Sequence, residues 1–67
     1  MTGQIKTLVP DRGFGFILGE GGVEFFFHRS EVLGGDFSTL KPGDRVIFEE
    51  VLSPKGPRAG GVQRVRG

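Results

Sequence analysis

Residues 23–30 read VEFFFHRS, and the three adjacent phenylalanines constrain this chain more than anything else in it. In a helix they would point three ways; in a strand the middle ring must face opposite to its neighbours. Either geometry turns at least one ring away from a single interior. The stretch GFGFIL (13–18) poses the same problem in milder form. Its two glycines would cost a helix about 2 kcal/mol relative to alanine, so it reads as a strand. Phe14 and Phe16 then share one face, and Gly15 and Ile17 the other.

The rest of the chain is also short strands divided by turns. QIKTLV (4–9) has β-branched residues and no helix cap, and Pro10-Asp11 supplies turn chemistry after it. Gly19 to Gly22 make a second turn, and VEFFFH (23–28) is the third strand. Ser30-Glu31-Val32-Leu33 reads as one helical turn capped by Ser30 and ended by Gly34-Gly35, too short to stand as a helix. Residues 35–44 form a loop closed by Lys41-Pro42-Gly43-Asp44. DRVIFEEVL (44–52) is a fourth strand with Val46 and Phe48 on one side. SPKGPRAG (53–60) reads as a mobile polar loop, and GVQRVR (61–66) as a fifth strand. In that strand Val62 and Val65 lie three apart, so either a bulge realigns them or only one is buried. The thirteen glycines are spread out as turn punctuation rather than gathered into a linker. Five short strands without a real helix point to an all-β fold, a small barrel that closes its own edges.

Size bounds what such a barrel can bury. The 67 residues make a single domain, 1–67, since a chain of ~60 residues buries only about 60% of its unfolded surface. With no cysteine there are no disulfides and no thiolate zinc site, and a single histidine argues against any other metal site. No window approaches ~18 apolar residues, and the N-terminus lacks a signal-peptide pattern. The expectation is a soluble, cytoplasmic protein with no membrane partner.

Pairing the second and third strands across the turn at 19–22 resolves the opening puzzle. If Ile17 registers with Phe25 and Phe27, one side is wholly apolar, and Phe14, Phe16, Phe26 and His28 gather on the other. The remaining apolar residues (Ile5, Val9, Val32, Val46, Phe48, Val62) suffice for one interior only. A dense exposed aromatic cluster therefore marks a contact surface. The net charge of +1 is uninformative, but Lys6, Arg12 and Arg29 sit beside the aromatic segments. Rings beside cations suit unstacked bases and phosphates, with stacking contributing ~1–3 kcal/mol per base. A duplex hides its base faces, so a single strand of RNA or DNA is favoured. Gly13 and Gly15 would keep the rings accessible and let the strand coil.

These residues carry a resemblance. Arg12-Gly13-Phe14-Gly15-Phe16-Ile17 resembles the first ribonucleoprotein motif, and Glu24-Phe25-Phe26-Phe27-His28-Arg29-Ser30 the second. Their order, with Asp36-Phe37, Leu40, Pro42-Gly43, Val46, Phe48 and then Gly56-Pro57, Ala59 and Val62, is similar to the cold-shock domain family over almost the whole chain. The resemblance implies a five-stranded antiparallel barrel of the oligonucleotide-binding type (OB-fold). It also implies binding of single-stranded RNA or DNA, RNA-chaperone activity, and effects on transcription or translation. Carried over residue by residue, the binding face comprises Lys6, Phe14, Phe16, Phe26, His28 and Phe37, with Arg12 at the usual basic position. The chain departs from the family at Lys6-Thr7-Leu8-Val9, where Lys-Trp-Phe-Asn is common, so an aromatic on the first strand is missing. Arg29 follows the histidine in place of a small, polar or aromatic residue. Lys55 and Arg58, in the loop, are placed to touch a longer strand.

Other functions fare worse. GFGFIL lacks the last glycine of a dinucleotide fingerprint and opens no helix. His28 and Ser30 have no acid evidently placed to orient the histidine, and no nucleophile elbow exists, so no enzyme, no small-molecule substrate and no cofactor are expected. A protein-interaction module gripping proline-rich peptides with its exposed aromatics is the rival. Basic residues bordering the rings, without an acidic patch among them, favour nucleic acid; the barrel is expected to be a monomer.

Overall fold

In the computed structural model, which describes residues 1–34 and 37–65, five strands close into a barrel. They are β1 (Thr2–Val9), β2 (Phe14–Gly19), β3 (Glu24–His28), β4 (Arg45–Ser53) and β5 (Gly56–Arg64), in the order β1-β2-β3-β5-β4. β4 returns to β1 through Thr2↔Ile47, Gly3↔Val46 and Gln4↔Arg45. Four of the five pairings are antiparallel, as expected. The fifth, β3 with β5, is parallel and consists of Phe26↔Arg58 alone. A sheet of short strands that closes on itself needs only one such seam to remove both edges.

The interior is the apolar side predicted for β2 and β3. Ile17, Phe25 and Phe27 are buried together with Ile5, Val46, Phe48 and Val62, and Leu40 and Ala59 complete the cluster. Phe25 lies 5.0 Å from Phe48, ring to ring. Gly15 faces inward, and the reason for a glycine there is space rather than access to the outer rings. A Cβ would meet the Thr7 carbonyl oxygen at 2.8 Å and the Phe27 ring at 2.9 Å. Larger residues would force the backbones apart.

Two bulges explain where a simple alternation misplaces residues. In β1 the register slips between Ile5 and Thr7: Ile5 pairs with Ile17, but Thr7 pairs with Phe16. Lys6 is the extra residue, and everything after it changes face. Val9, expected inside with Ile5, therefore pairs with Phe14 on the outer face and is only half-buried, while Leu8 packs against the core. In β5 the slip falls between the pairs Ile47↔Gln63 and Glu49↔Gly60, with Gly61 at φ 58°. That left-handed residue lets Ala59 and Val62 both face inward although they are three apart. Val65 is left 41% exposed, so of the two valines only Val62 is buried.

Three further expectations are corrected. Residues 53–60 are not a mobile loop: β4 runs to Ser53 and β5 begins at Gly56, with Leu52 paired to Pro57. The Ser53 hydroxyl donates to the Gly56 carbonyl at 2.8 Å and closes the turn, and Pro57 lies outside the single β3 pairing, where a missing N–H is tolerated. The helical turn is a 3₁₀ turn over Arg29–Glu31, and its cap is His28, not Ser30. Phe37 lies in another 3₁₀ turn, Phe37–Thr39, rather than in an irregular loop. Gly35, Asp36, Arg66 and Gly67, which entered the sequence reading, lie outside the described residues.

Candidate nucleic-acid interface

Period-two geometry on the β2–β3 hairpin builds the centre of the site. Phe14 pairs with His28 and Phe16 with Phe26, so these four side chains lie on one face, opposite Ile17, Phe25 and Phe27. All four are half-buried. The ring centroids of Phe14 and Phe26 stand 5.4 Å apart at 32°, whereas Phe16 meets Phe14 at 5.9 Å and 89°, and Phe26 at 5.9 Å and 73°. Phe16 braces the other two rings edge to face, while Phe14 and Phe26 lie tilted against each other. Their planes diverge, so bases resting on them would stack in more than one direction.

His28 is held by its own turn. Ser30 N–H donates to His28 Nδ1 at 3.1 Å, and Ser30 Oγ lies 3.0 Å from the same nitrogen. A backbone N–H can only donate, so Nδ1 is the acceptor and a neutral His28 carries its proton on Nε2. The ring thus presents a donor at its free nitrogen. The two-residue spacing of His28 and Ser30 carries this contact, which the placing of His28 on the binding face does not by itself reveal.

The cations sit in different settings. Lys6, lifted out of the ladder by the bulge, is tied to Glu24 of β3 at 2.6 Å, with both side chains nearly half exposed. A single acid, Glu24, thus stands at the border of the aromatic face, already paired with a cation. Such exposed pairs contribute about 0–1 kcal/mol, so a phosphate can displace the carboxylate. Glu24→Gln is expected to raise oligonucleotide affinity by up to about fivefold and to steepen the salt slope by about 0.7, read by titration at several salt concentrations. Unaltered affinity and slope would show that Lys6 does not reach the backbone.

Arg12 and Arg29 are both exposed. The Arg29 stem crosses Gly13, with Cδ 3.0 Å and Nε 3.3 Å from where a Cβ on that glycine would stand, so its guanidinium begins beside the residue that joins Arg12 to Phe14. Lys55 is in the β4–β5 turn, and Arg58 lies on β5 with its Cζ 5.1 Å above the Phe26 ring. Phe16, Phe26, His28, Lys55, Pro57 and Arg58 line one concavity. Pro57 was not anticipated there. Phe37 does not join the outer rings; its ring packs on Phe27 at 5.8 Å, at the rim of the core. A second concavity, bordered by Gln4, Glu20, Arg45 and Val65, carries no aromatic ring.

A small closed barrel with clustered rings and cations on its outer face belongs to the class of oligonucleotide-binding barrels. The comparisons with known proteins agree. The family model for the 'Cold-shock' DNA-binding domain matches residues 1–65, and the chain belongs to this family of nucleic-acid-binding domains. It is 43% identical over 63 residues to the cold shock-like protein CspD of Bacillus cereus, covering 94% of this chain and 96% of that one. It is 44% identical over 62 residues to the probable cold shock protein A of Mycobacterium tuberculosis, covering 91% and 92% respectively. Among solved structures it resembles drosophila Unr CSD456, with a TM-score of 0.72, 28% identity, and coverage of 97% of this chain and 26% of that chain.

Proposed function

We propose that this chain binds single-stranded RNA or DNA with little sequence selectivity and acts as an RNA chaperone or a regulator of transcription or translation of the cold-shock type. The observation that carries the reading is the register Phe14↔His28 and Phe16↔Phe26, which gathers rings on the face turned away from the core. Phe14, Phe16, Phe26 and His28 form the stacking platform, Phe37 is an outlying contact, and Lys6, Arg12, Arg29, Lys55 and Arg58 meet the backbone or adjacent bases. Binding the open strand better than the duplex opposes intrastrand pairing by mass action. This is binding and not catalysis, without cofactor, by a monomeric single domain spanning 1–67 that works in the cytoplasm. No helix among the described residues is long and apolar enough to cross a membrane.

The deciding experiment is titration with RNA and DNA homopolymers, a duplex and a proline-rich peptide, each at two salt concentrations. Tight, salt-sensitive binding of the single strands is the expected result. Binding of the peptide alone would replace this reading with the protein-interaction one. Within the same series Arg29→Ala should flatten the log–log salt slope by about 0.7, the share of one phosphate contact on a single strand. A slope equal to the parent's would remove Arg29 from the phosphate contacts.

A further inference from the structure

Arg58 occupies an unusual place in this surface. The only rung between β3 and β5 sets it directly beside Phe26, and paired residues point to the same face of a sheet. Its guanidinium carbon stands 5.1 Å above the Phe26 ring centroid. Among the described residues the ion pairs are Lys6–Glu24 and Arg64–Asp44, so no carboxylate claims Arg58. The ring is what holds it. Yet that ring is one of the surfaces on which a base would rest, and a base between two planes needs about 7 Å, two carbon–carbon contact distances. The face of Phe26 that Arg58 covers is therefore closed to a base as the side chain now lies.

We infer that Arg58 is a lid on Phe26, which an unstacked nucleobase displaces and which then closes over the outer face of that base. The inference rests on the single-strand reading above and goes beyond it by giving one base two planar neighbours. Stacking of a base on an aromatic ring is a stronger contact than an exposed cation–π pair, so the exchange runs toward the complex. A guanidinium is planar and stacks on π surfaces, and an ammonium does not. The displaced side chain is thus suited to the second face of the base as it was to the ring. The concavity shared by Phe16, Phe26, His28, Lys55, Pro57 and Arg58 supplies the space. Movement of one flexible side chain opens it, with the strands in place. At the edge of this slot His28 offers a donor from Nε2, which favours a base with an in-plane carbonyl.

The test compares Arg58→Ala, Arg58→Lys and Phe26→Ala with the parent, using oligo(dT) of about eight nucleotides and the same backbone with abasic units. Thermal unfolding first establishes that each variant is folded. The lid predicts that Arg58→Ala weakens oligo(dT) binding about three- to tenfold, that Arg58→Lys does not restore it, and that the charge-matched Arg58→Lys binds the abasic strand as the parent does. Restoration by lysine would make Arg58 an ordinary phosphate contact, and tighter binding by Arg58→Ala would make it an obstruction; either overturns the lid. If Arg58→Ala binds as the parent does while Phe26→Ala binds poorly, the lid fails and the single-strand reading stands. If Phe26→Ala also binds as the parent does, the single-strand reading itself fails.

Discussion

The Phe14→Ala, Phe26→Ala double variant is expected to fold and to lose at least about thirtyfold in affinity for a single-stranded oligonucleotide. At ~1–3 kcal/mol per stacked base, two rings account for about 2–6 kcal/mol, and ~1.4 kcal/mol is a factor of ten. Both rings are half-buried on the outer face, and neither belongs to the buried cluster of Ile5, Ile17, Phe25, Phe27, Val46, Phe48 and Val62. What folding loses is the mutual bracing with Phe16, about 0.5–1.5 kcal/mol for each ring pair. A thermal melt and a titration on the same sample separate the two effects. A folded double variant that captures oligonucleotide as tightly as the parent would end the proposal.

Phe27→Ala, one residue along the chain, is expected to do the reverse. Phe27 is 0% exposed, touches Phe37 from inside, and fills the space that Gly15 leaves free. Truncating such a ring costs about 3–5 kcal/mol, because the neighbours cannot collapse into the void. The total stability of 67 residues is on the order of 3–10 kcal/mol, so the variant stands at the edge of unfolding. Its melting temperature should fall by roughly 12–40 °C. The molecules that remain folded keep the outer rings, so apparent affinity should drop only in proportion to the folded fraction. Were Phe26→Ala to lower the melting temperature as much as Phe27→Ala does, the assignment of these neighbours to opposite faces would be wrong.

That assignment was legible in the sequence because period two is strict wherever a strand is regular. VEFFFH admits one division into inside and outside, and a four-residue turn fixes which strand it meets. Legibility failed where the ladder breaks. Nothing in QIKTLV announces that Lys6 is an additional residue, so Val9 was assigned to the interior. Polar, proline- and glycine-rich composition marked 53–60 as a loop, although cross-strand pairing to β4 outweighs that local preference. Long-range partners were hidden for a related reason. The Lys6–Glu24 pair and the Arg58–Phe26 contact span 18 and 32 positions, and only barrel closure brings the second together. Ser30 looked like a helix cap by residue type. The structure gives that role to His28, whose imidazole nitrogen receives the turn's first free N–H.

Since Ile5 answers Ile17 and Thr7 answers Phe16, the ladder of β1 is complete without Lys6. Excision of that one residue would leave Thr7, Leu8 and Val9 facing as they do now, whereas excision of Thr7 or Leu8 would rob an existing rung of its side chain. The barrel would give up some local coiling with it. Lys6 is in this sense supernumerary to the architecture: it delivers a cation to the rim from a site the scaffold can spare, so chain length at this point can vary without rewriting which side chains meet the solvent.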